Sequence, residues 1–435
     1  MPRTSNNGSN GNGRADAGPG VSAYDSMLLA AVERGDENLQ TGRFIVTYRE
    51  GAVDEGSSQL QSLGLRTADA RDFGDRAVTI DDVGDADALV LPEIGVAVLS
   101  AEAAADRQAE LSEFSVAEGP VDTVEPEYFV TVNNLSVDYV RGFRRAIDAL
   151  LADTSLPGLA DEDVEAQVLG ATWGITACRV PMSSRSGAGV RVAVLDTGMA
   201  LNHPDFAGRQ IAGQTFVGQP VQDLHSHGTH CIGTACGPMA PAGTTPRYGI
   251  AHQASIFVGK VLSNAGSGGT ASVLAGMNWA IANGCAVISM SLGSQSPPQA
   301  AYTAAGRAAL AKGCLIIAAA GNMASQTGSP ANSPTIMSIA SLDGNLQPSN
   351  FSNFGKIELA APGRDVFSSV PMPHRYGFKS GTSMATPHAA GCAALWAQTS
   401  PALRGQALWN KLLATAKALP FPPHKVGRGL VQAPL

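Results

Sequence analysis

The chain has 435 residues and a formal net charge of −8, with 44% hydrophobic and 15% charged side chains, a balance that can bury a core and excludes wholesale disorder. Its length predicts two or three domains at roughly 100–200 residues each. No run of 18 uncharged apolar residues predicts a membrane span, and the first 20 residues hold no apolar stretch of the secretory kind, so a cytoplasmic location or an unconventional export route is expected.

Residues 1–40 read as a Gly/Asn/Ser-rich disordered tail that ends in a short apolar helix over 27–32, for which the sequence offers no role. Residues 41–133 read as a small α+β domain. Strands are expected over 43–48 and 95–99, helices over 57–63 and 101–114, and 121–132 closes the unit. Residues 134–165 form a connector with one helix, since Val140, Phe143, Ile147, Leu150 and Leu151 fall at helical spacing before Pro157-Gly158 breaks it. From 166 to 435 the texture changes. Apolar strands over 190–195, 255–262, 285–290 and 314–319 alternate with helices over 273–283 and 302–312, stopped by Gly284 and Gly313. That alternation predicts an α/β domain with a mostly parallel sheet covered on both faces, and function is then expected beyond the carboxyl ends of the strands.

Charge separates the two parts. Residues 41–133 carry 19 acidic and 6 basic side chains (net −13), and residues 166–435 carry 17 basic and 6 acidic ones (net +11). Opposed fields favour docking of one part on the other. The basic residues are dispersed and lack an aromatic stacking run, so nucleic acid is not an expected partner.

Three segments carry chemistry. Asp196 directly follows a predicted strand, where a carboxylate serves either a site or a turn. His225, His227 and His230 lie within six residues beside Cys231, a pattern that a metal site could use, although His203, His252, His374, His388 and His424 supply no second ligand cluster. Ser383 precedes a helix predicted over 389–398. There it is either an ordinary N-cap or a nucleophile placed where helix dipole and free N–H groups favour negative charge. A serine hydroxyl needs a base within reach, and the base needs an orienting carboxylate, so Asp, His and Ser in this chain order point to acyl transfer.

The blocks Val194-Leu195-Asp196-Thr197-Gly198, His227-Gly228-Thr229-His230 and Gly381-Thr382-Ser383-Met384-Ala385-Thr386-Pro387-His388 resemble the three signature blocks of the subtilisin-like serine proteases, the subtilases. The resemblance covers about residues 168–400. It implies a three-layer α/β fold around a central mostly parallel sheet and a serine endopeptidase with Ser383 as nucleophile, His227 as general base and acid, and Asp196 orienting the imidazole. His230 would be structural. Ala318-Ala319-Ala320-Gly321-Asn322 resembles the family's oxyanion block, with Asn322 and the Ser383 N–H as donors. Gly266-Ser267-Gly268 and Ser291-Leu292-Gly293 resemble the segments that sandwich an extended substrate by strand addition. Ala318, Ala319, Ala320 and Gly328 would line a roomy uncharged S1 pocket, and Thr270 stands where relatives often have Tyr, opening the S4 wall.

The same resemblance makes 41–133 a ferredoxin-like inhibitor propeptide, cut either near Asn133-Asn134-Leu135 or around 156–159, and its own partner as an intramolecular inhibitor of a zymogen. No cofactor is required for such chemistry. The loop at 237–246, where many subtilases hold calcium, has no carboxylate, and Asp205 alone matches a family ligand position, so that site is expected to be absent. The six cysteines are expected as free core thiols. A catalytically silent peptide-binding relative and a His-cluster metalloenzyme are the competing readings.

Overall fold

A computed structural model of the protein describes residues 22–36, 39–74, 76–107, 119–132 and 170–435. The expected tail over 1–20, the connector helix, both candidate cleavage segments and the end of the helix predicted to reach 114 lie outside the described residues. Two sheets organise the rest. The first contains β1 (Gln40–Tyr48), β2 (Thr67–Asp69), β3 (Ala88–Leu91), β4 (Val96–Leu99) and β5 (Val121–Thr131) in the order β2-β3-β4-β1-β5. Only β2 and β3 run parallel, and β1 lies antiparallel between β4 and β5. Helices α1 (Ala23–Glu33), α2 (Val53–Ser62) and α3 (Ala101–Asp106) accompany it. α1 is longer than the apolar run predicts because Ser22 and Asp25 form a capping box at its start.

The second sheet has seven strands, all parallel: β6 (Arg191–Asp196), β7 (Ile211–Thr215), β8 (Ser255–Lys260), β10 (Val287–Met290), β11 (Leu315–Ala319), β12 (Met337–Leu342) and β13 (Leu359–Pro362), in the order β13-β12-β11-β10-β6-β8-β7. The short strand β9 (Ser267–Gly269) stands apart from it. Alternating residues of β6 divide the core. Val192 and Val194 face one cluster with α4 (Trp173–Ala177), α5 (His227–Cys236) and α8 (Thr382–Thr399), whereas Ala193 and Leu195 face a second with α6 (Thr270–Ala282) and α7 (Ala300–Ala311). Continuous apolar strands are what a sheet buried on both faces requires. The second cluster also takes in Ile45, Leu89, Leu91, Val96 and Val98, so the first sheet closes over α6 and α7 from outside. Among the described residues no helix is long and apolar enough to cross a membrane.

β5 joins the two sheets. Along its first part it pairs with β1, and beyond Tyr128 its other edge pairs antiparallel with β9, matching Phe129 with Gly269, Val130 with Gly268 and Thr131 with Ser267. Two glutamates on β5 reach helix N-termini of the other part. Glu125 accepts from Ala300 N (3.2 Å) and Ala301 N (2.8 Å) at the start of α7, and Glu127 accepts from Ala271 N (2.8 Å) at the start of α6. Neither helix has an acidic residue in its own first turn, so these carboxyls supply the missing caps. Burial pushes both carboxyls above their usual range, opposed for Glu127 by Arg43 and by its hydrogen-bond donors.

Glu127 also accepts from Thr41 Oγ1 (2.6 Å) and Tyr24 OH (3.2 Å) in a fully buried setting. Glu127→Ala is therefore expected to destabilise the intact chain by about 1–3 kcal/mol, more than Glu125→Ala at its partly exposed position. Calorimetric melting of the two variants checks this, and equal melting temperatures would contradict it.

Candidate active site

Asp196 ends β6, and His227 is the first residue of α5, so the parallel sheet places one and the helix start the other. His227 Nδ1 lies 2.8 Å from Asp196 Oδ1, with both side chains buried. Gly228 permits this approach: a Cβ there would sit 2.3 Å from Gly198 O. With no side chain in the way, Gly228 N donates to Thr197 Oγ1 at 2.9 Å. Ser226, just before the imidazole, has φ +79°, a left-handed conformation unfavourable to a serine. Asp223 holds that turn. Its Oδ1 accepts from His225 N and Ser226 N (both 2.9 Å) and from Thr197 Oγ1 (3.0 Å), and its Oδ2 accepts from Thr229 N (2.9 Å) and Thr229 Oγ1 (2.6 Å). A fully buried carboxylate thus ties the strand carrying Asp196 to the helix carrying His227.

Ser383 is the second residue of α8, which begins at Thr382 rather than 389 and contains Pro387. Proline has no N–H, so the Ser383 carbonyl loses its partner four residues on. Ser291 Oγ donates to it at 2.7 Å and Cys231 Sγ at 3.5 Å, which locks the helix start to the loop after β10 and to α5. The Ser383 hydroxyl donates to Ser291 O (3.3 Å) and Val132 O (3.5 Å). The expected bond from Ser383 to His227 is not formed: His227 Nε2 has no hydrogen-bond partner, because the hydroxyl is taken up by carbonyls beside the end of β5.

Asn322 follows β11 in the loop predicted to hold an oxyanion donor. Its Oδ1 accepts from Thr382 N (2.8 Å) and Thr382 Oγ1 (2.9 Å), which leaves Nδ2 on the side of Gly381, where a Cβ would lie 3.3 Å from Nδ2 and 3.6 Å from Ser383 N. Thr382 Oγ1 also accepts from Gly321 N (3.0 Å). Asn353 braces the loop from behind. Its Oδ1 accepts from Met323 N (2.9 Å) and Ser325 N (3.1 Å), and its Nδ2 donates to Ala320 O (3.0 Å) and Gln326 O (2.9 Å).

The two glycine-containing segments flank the end of β5. Val132 N donates to Gly266 O (3.1 Å), and Thr131 exchanges both main-chain bonds with Gly293 (3.1 and 3.0 Å). Ser267 and Gly268 pair on one side, and Leu292 packs in the same cluster as Val130 and Val132. Thr270 is buried, and its hydroxyl donates to Tyr128 O (3.2 Å). Ala318 and Ala320 belong to the cores on opposite faces of the sheet, Ala319 is buried too, and Gly328 packs against the Ser294 carbonyl.

The three histidines do not converge on one point. His230 Nε2 bonds Val366 O at 2.9 Å, and burial lowers its pKa to about 3. Among the described residues the group with ligand-like spacing is Asp196, His227 and Cys231, and there His227 Nδ1 is already bonded to Asp196. All six cysteines are buried and unpaired. The sequence reading missed Asp223, Asn353 and the two capping glutamates. Asp223 had a local signal, a carboxylate four residues before the helix start. Asn353 had none, since its side-chain bonds reach 27 to 58 residues back along the chain.

Burial alone would lower the pKa of His227. The Asp196 carboxylate, followed by Cys231, outweighs it and holds the imidazole well above the usual histidine value. A raised histidine pKa stabilises the folded chain fully below the unfolded value of 6.5, and that contribution is lost as pH rises through the raised value. Nuclear magnetic resonance titration of the intact chain carrying Ser383→Ala is expected to give a His227 midpoint above 6.5, and Asp196→Asn is expected to bring it below. A His227 midpoint insensitive to Asp196→Asn would contradict the assigned cause.

Residues 187–429 match the family model described as the subtilase family, peptidase S8. An "Alkaline protease" of Alkalihalobacillus alcalophilus is 38% identical over 296 residues, 66% of this chain and 75% of its own length. "Subtilisin Savinase" of Lederbergia lenta is 39% identical over 268 residues, 60% of this chain and 96% of its own. A "Thermostable alkaline protease" of Halalkalibacterium halodurans is 40% identical over 268 residues, 60% and 72% respectively.

Proposed function

The chain belongs to the subtilase family and is a subtilisin-like serine endopeptidase, and from that premise we propose that Asp196, His227, Ser383 and Asn322 carry the reaction in a precursor that its own residues 41–133 hold silent. The observation that carries the assignment is the buried 2.8 Å contact between His227 Nδ1 and Asp196, beside a serine whose hydroxyl already lies at a peptide carbonyl. When Val132 leaves and the Ser383 hydroxyl turns from Ser291 O, it gives its proton to His227 Nε2 and its oxygen to a substrate carbonyl. Asp196 holds the Nδ1 proton and stabilises the imidazolium that forms. The oxyanion then faces Asn322 Nδ2 and the Ser383 N–H, two donors arranged before the reaction begins. His227 returns its proton to the leaving amine, and water repeats the sequence to release the acid.

Substrates are extended peptides. β5 itself supports this reading, because its last residues take main-chain bonds from Gly266 and Gly293 on both edges, as strand addition demands. Since β5 fills the cleft, residues 41–133 act as a ferredoxin-like inhibitor domain, and residues 166–435 form the catalytic domain. Of the two candidate cleavage segments, the register favours Asn133-Asn134-Leu135, which follows directly on Val132. The raised His227 pKa adds that the free base form grows on the alkaline side, in keeping with the relatives named alkaline proteases.

Ser383→Ala is expected to abolish casein hydrolysis and to leave the purified chain at full length, while wild type shows a new terminus just beyond Val132 by mass spectrometry. Asn322→Ala is expected to lower kcat by about 10²–10³, a magnitude measured for the matching amide in subtilisin and not one derived from this geometry. Unchanged hydrolysis by Ser383→Ala would defeat the mechanism, and an intact wild-type chain would defeat the self-processing part of it.

Calcium does not fit at Asp205. Its carboxylate already accepts from Tyr248 OH (2.5 Å) and Tyr376 OH (3.0 Å), with Arg375 3.9 Å away, and the 237–246 loop offers no second carboxylate. Phenolic donors do here what a cation would otherwise do, compensating a buried charge. A chelator is therefore expected to leave the melting temperature unchanged, and Tyr376→Phe is expected to lower it. A large calcium-dependent rise in melting temperature would reverse this reading.

A further inference from the structure

α1 precedes the inhibitor-like sheet, and its own sequence offers no role. In the fold it lies against the strand that grips the peptide. Tyr24, Leu28, Ala31 and Val32 pack with Phe129 of β5 and with Val217. The Tyr24 ring sits against Gly269, where a Cβ would come within 2.3 Å of it and 2.1 Å of Glu127 Oε1, so only glycine lets helix and strand meet. Arg43 lies over the Tyr24 ring and donates to its hydroxyl (3.3 Å).

At the end of this interface one carboxylate is shared. Asp25 Oδ2 accepts from Ser22 N (3.2 Å) to complete the helix cap. Asp25 Oδ1 crosses to the other part of the chain, where it accepts from Ser263 Oγ (2.6 Å) and from Ser267 Oγ. Both serines are buried beneath α1 and close the turn that leads into β9, since Ser263 N donates to Ser267 O (2.7 Å) and Gly266 N donates to Ser263 O (3.0 Å). Gly266 O and β9 then hold Val132 through Phe129. Lys260, the last residue of β8, donates to Asn264 Oδ1 (2.9 Å), and burial lowers its pKa to about 8 against the opposing pull of Asp223, Asp196 and Asp25. Two convergent hydroxyl donors near a lysine suit an anion better than a neutral acceptor.

We propose that Ser263 and Ser267 form a carboxylate-binding subsite behind the peptide-gripping strand, filled in the intact chain by Asp25, so that α1 is a second latch holding β9 against β5. Its ligand class is a carboxylate side chain carried on an amphipathic helix. The proposal rests on the latency reading only where it calls β9 part of the substrate cleft. The contact itself is independent of that reading. Removing Asp25 loosens the turn at 263–267 without touching the proposed triad, and removing both serine hydroxyls loosens α1 from the other side.

Hydrogen exchange on the intact chain carrying Ser383→Ala tests this, read at amides 23–33 and 263–269. Asp25→Ala and the pair Ser263→Ala/Ser267→Ala are each expected to raise exchange in both segments about tenfold or more, as loss of hydrogen bonds to a charged group does. Combining them is expected to add little to the serine pair alone, because that pair already removes the Asp25 contact together with the bonds Ser263 Oγ accepts from Ala265 N (3.1 Å) and Ser267 N (3.4 Å). Asp25→Asn, which keeps an acceptor without the charge, is expected to raise exchange as well. Ser22→Ala, which removes only the cap, is expected to loosen α1 more than 263–269. Additive effects, an Asp25→Ala chain unchanged at 263–269, or an Asp25→Asn chain identical to the parent would each overturn the proposal. With Ser383 restored, Asp25→Ala is expected to shorten the lag before casein hydrolysis. If the parent shows no lag, latency fails, yet the exchange cycle still decides the subsite.

Discussion

The main-chain pairing of the last residues of β5 with Ser267–Gly269 on one side and Gly293 on the other is the contact on which the arrangement depends. Buried N–H and C=O groups must find partners, and a strand that leaves its own sheet has two unsatisfied edges. β5 satisfies both inside the cleft of the second part of the chain. The same bonds fix its register, so Val132 O comes to rest at the Ser383 hydroxyl. A shift by one residue would turn Val130 and Val132 out of the apolar cluster they share with Leu262 and Leu292.

Net charge plays a smaller part than it first suggests. The two parts carry opposed totals, but long-range fields between exposed charges fade over about 10 Å in ordinary salt. What holds them is local. Glu125 and Glu127 reach the bare starts of α7 and α6, and Asp25 reaches two serine hydroxyls. Each places a carboxylate on donors of the second part of the chain. The acidic segment therefore covers the second part of the chain by supplying the caps that part lacks.

The start of α8 is held by a similar compensation. Pro387 deprives the Ser383 carbonyl of its helical partner, and Ser291 and Cys231 take its place. Helix α8 is thereby tied to the sheet and to α5 at Ser383. Asp223 does the corresponding work for His227 by paying for the left-handed Ser226 with five accepted hydrogen bonds. Rigid elements hold Asp196, His227 and Ser383, and the neighbours that hold those elements are polar groups with no spare bonds.

Much of this was legible along the chain. The alternation of apolar runs with stopped helices announced a parallel sheet with two covered faces, because burial on both sides leaves no polar positions in the strands. Asp196, His227, Ser383 and Asn322 stood out because the chemistry of a weak nucleophile demands those residue types, and short motifs surround them. Tertiary structure alone decided the rest. Asn353 looked ordinary because the groups it binds are loop carbonyls and amides some 30 residues away, whose directions exist only once the loop is folded. Asp25 and the serines it binds are nearly 240 residues apart, and hydroxyls and carboxylates are too common for spacing to mark them as partners. Local sequence sets which elements form and which side chains have suitable chemistry. The directions of hydrogen bonds between distant elements, and hence which carbonyl the serine faces, come only from packing.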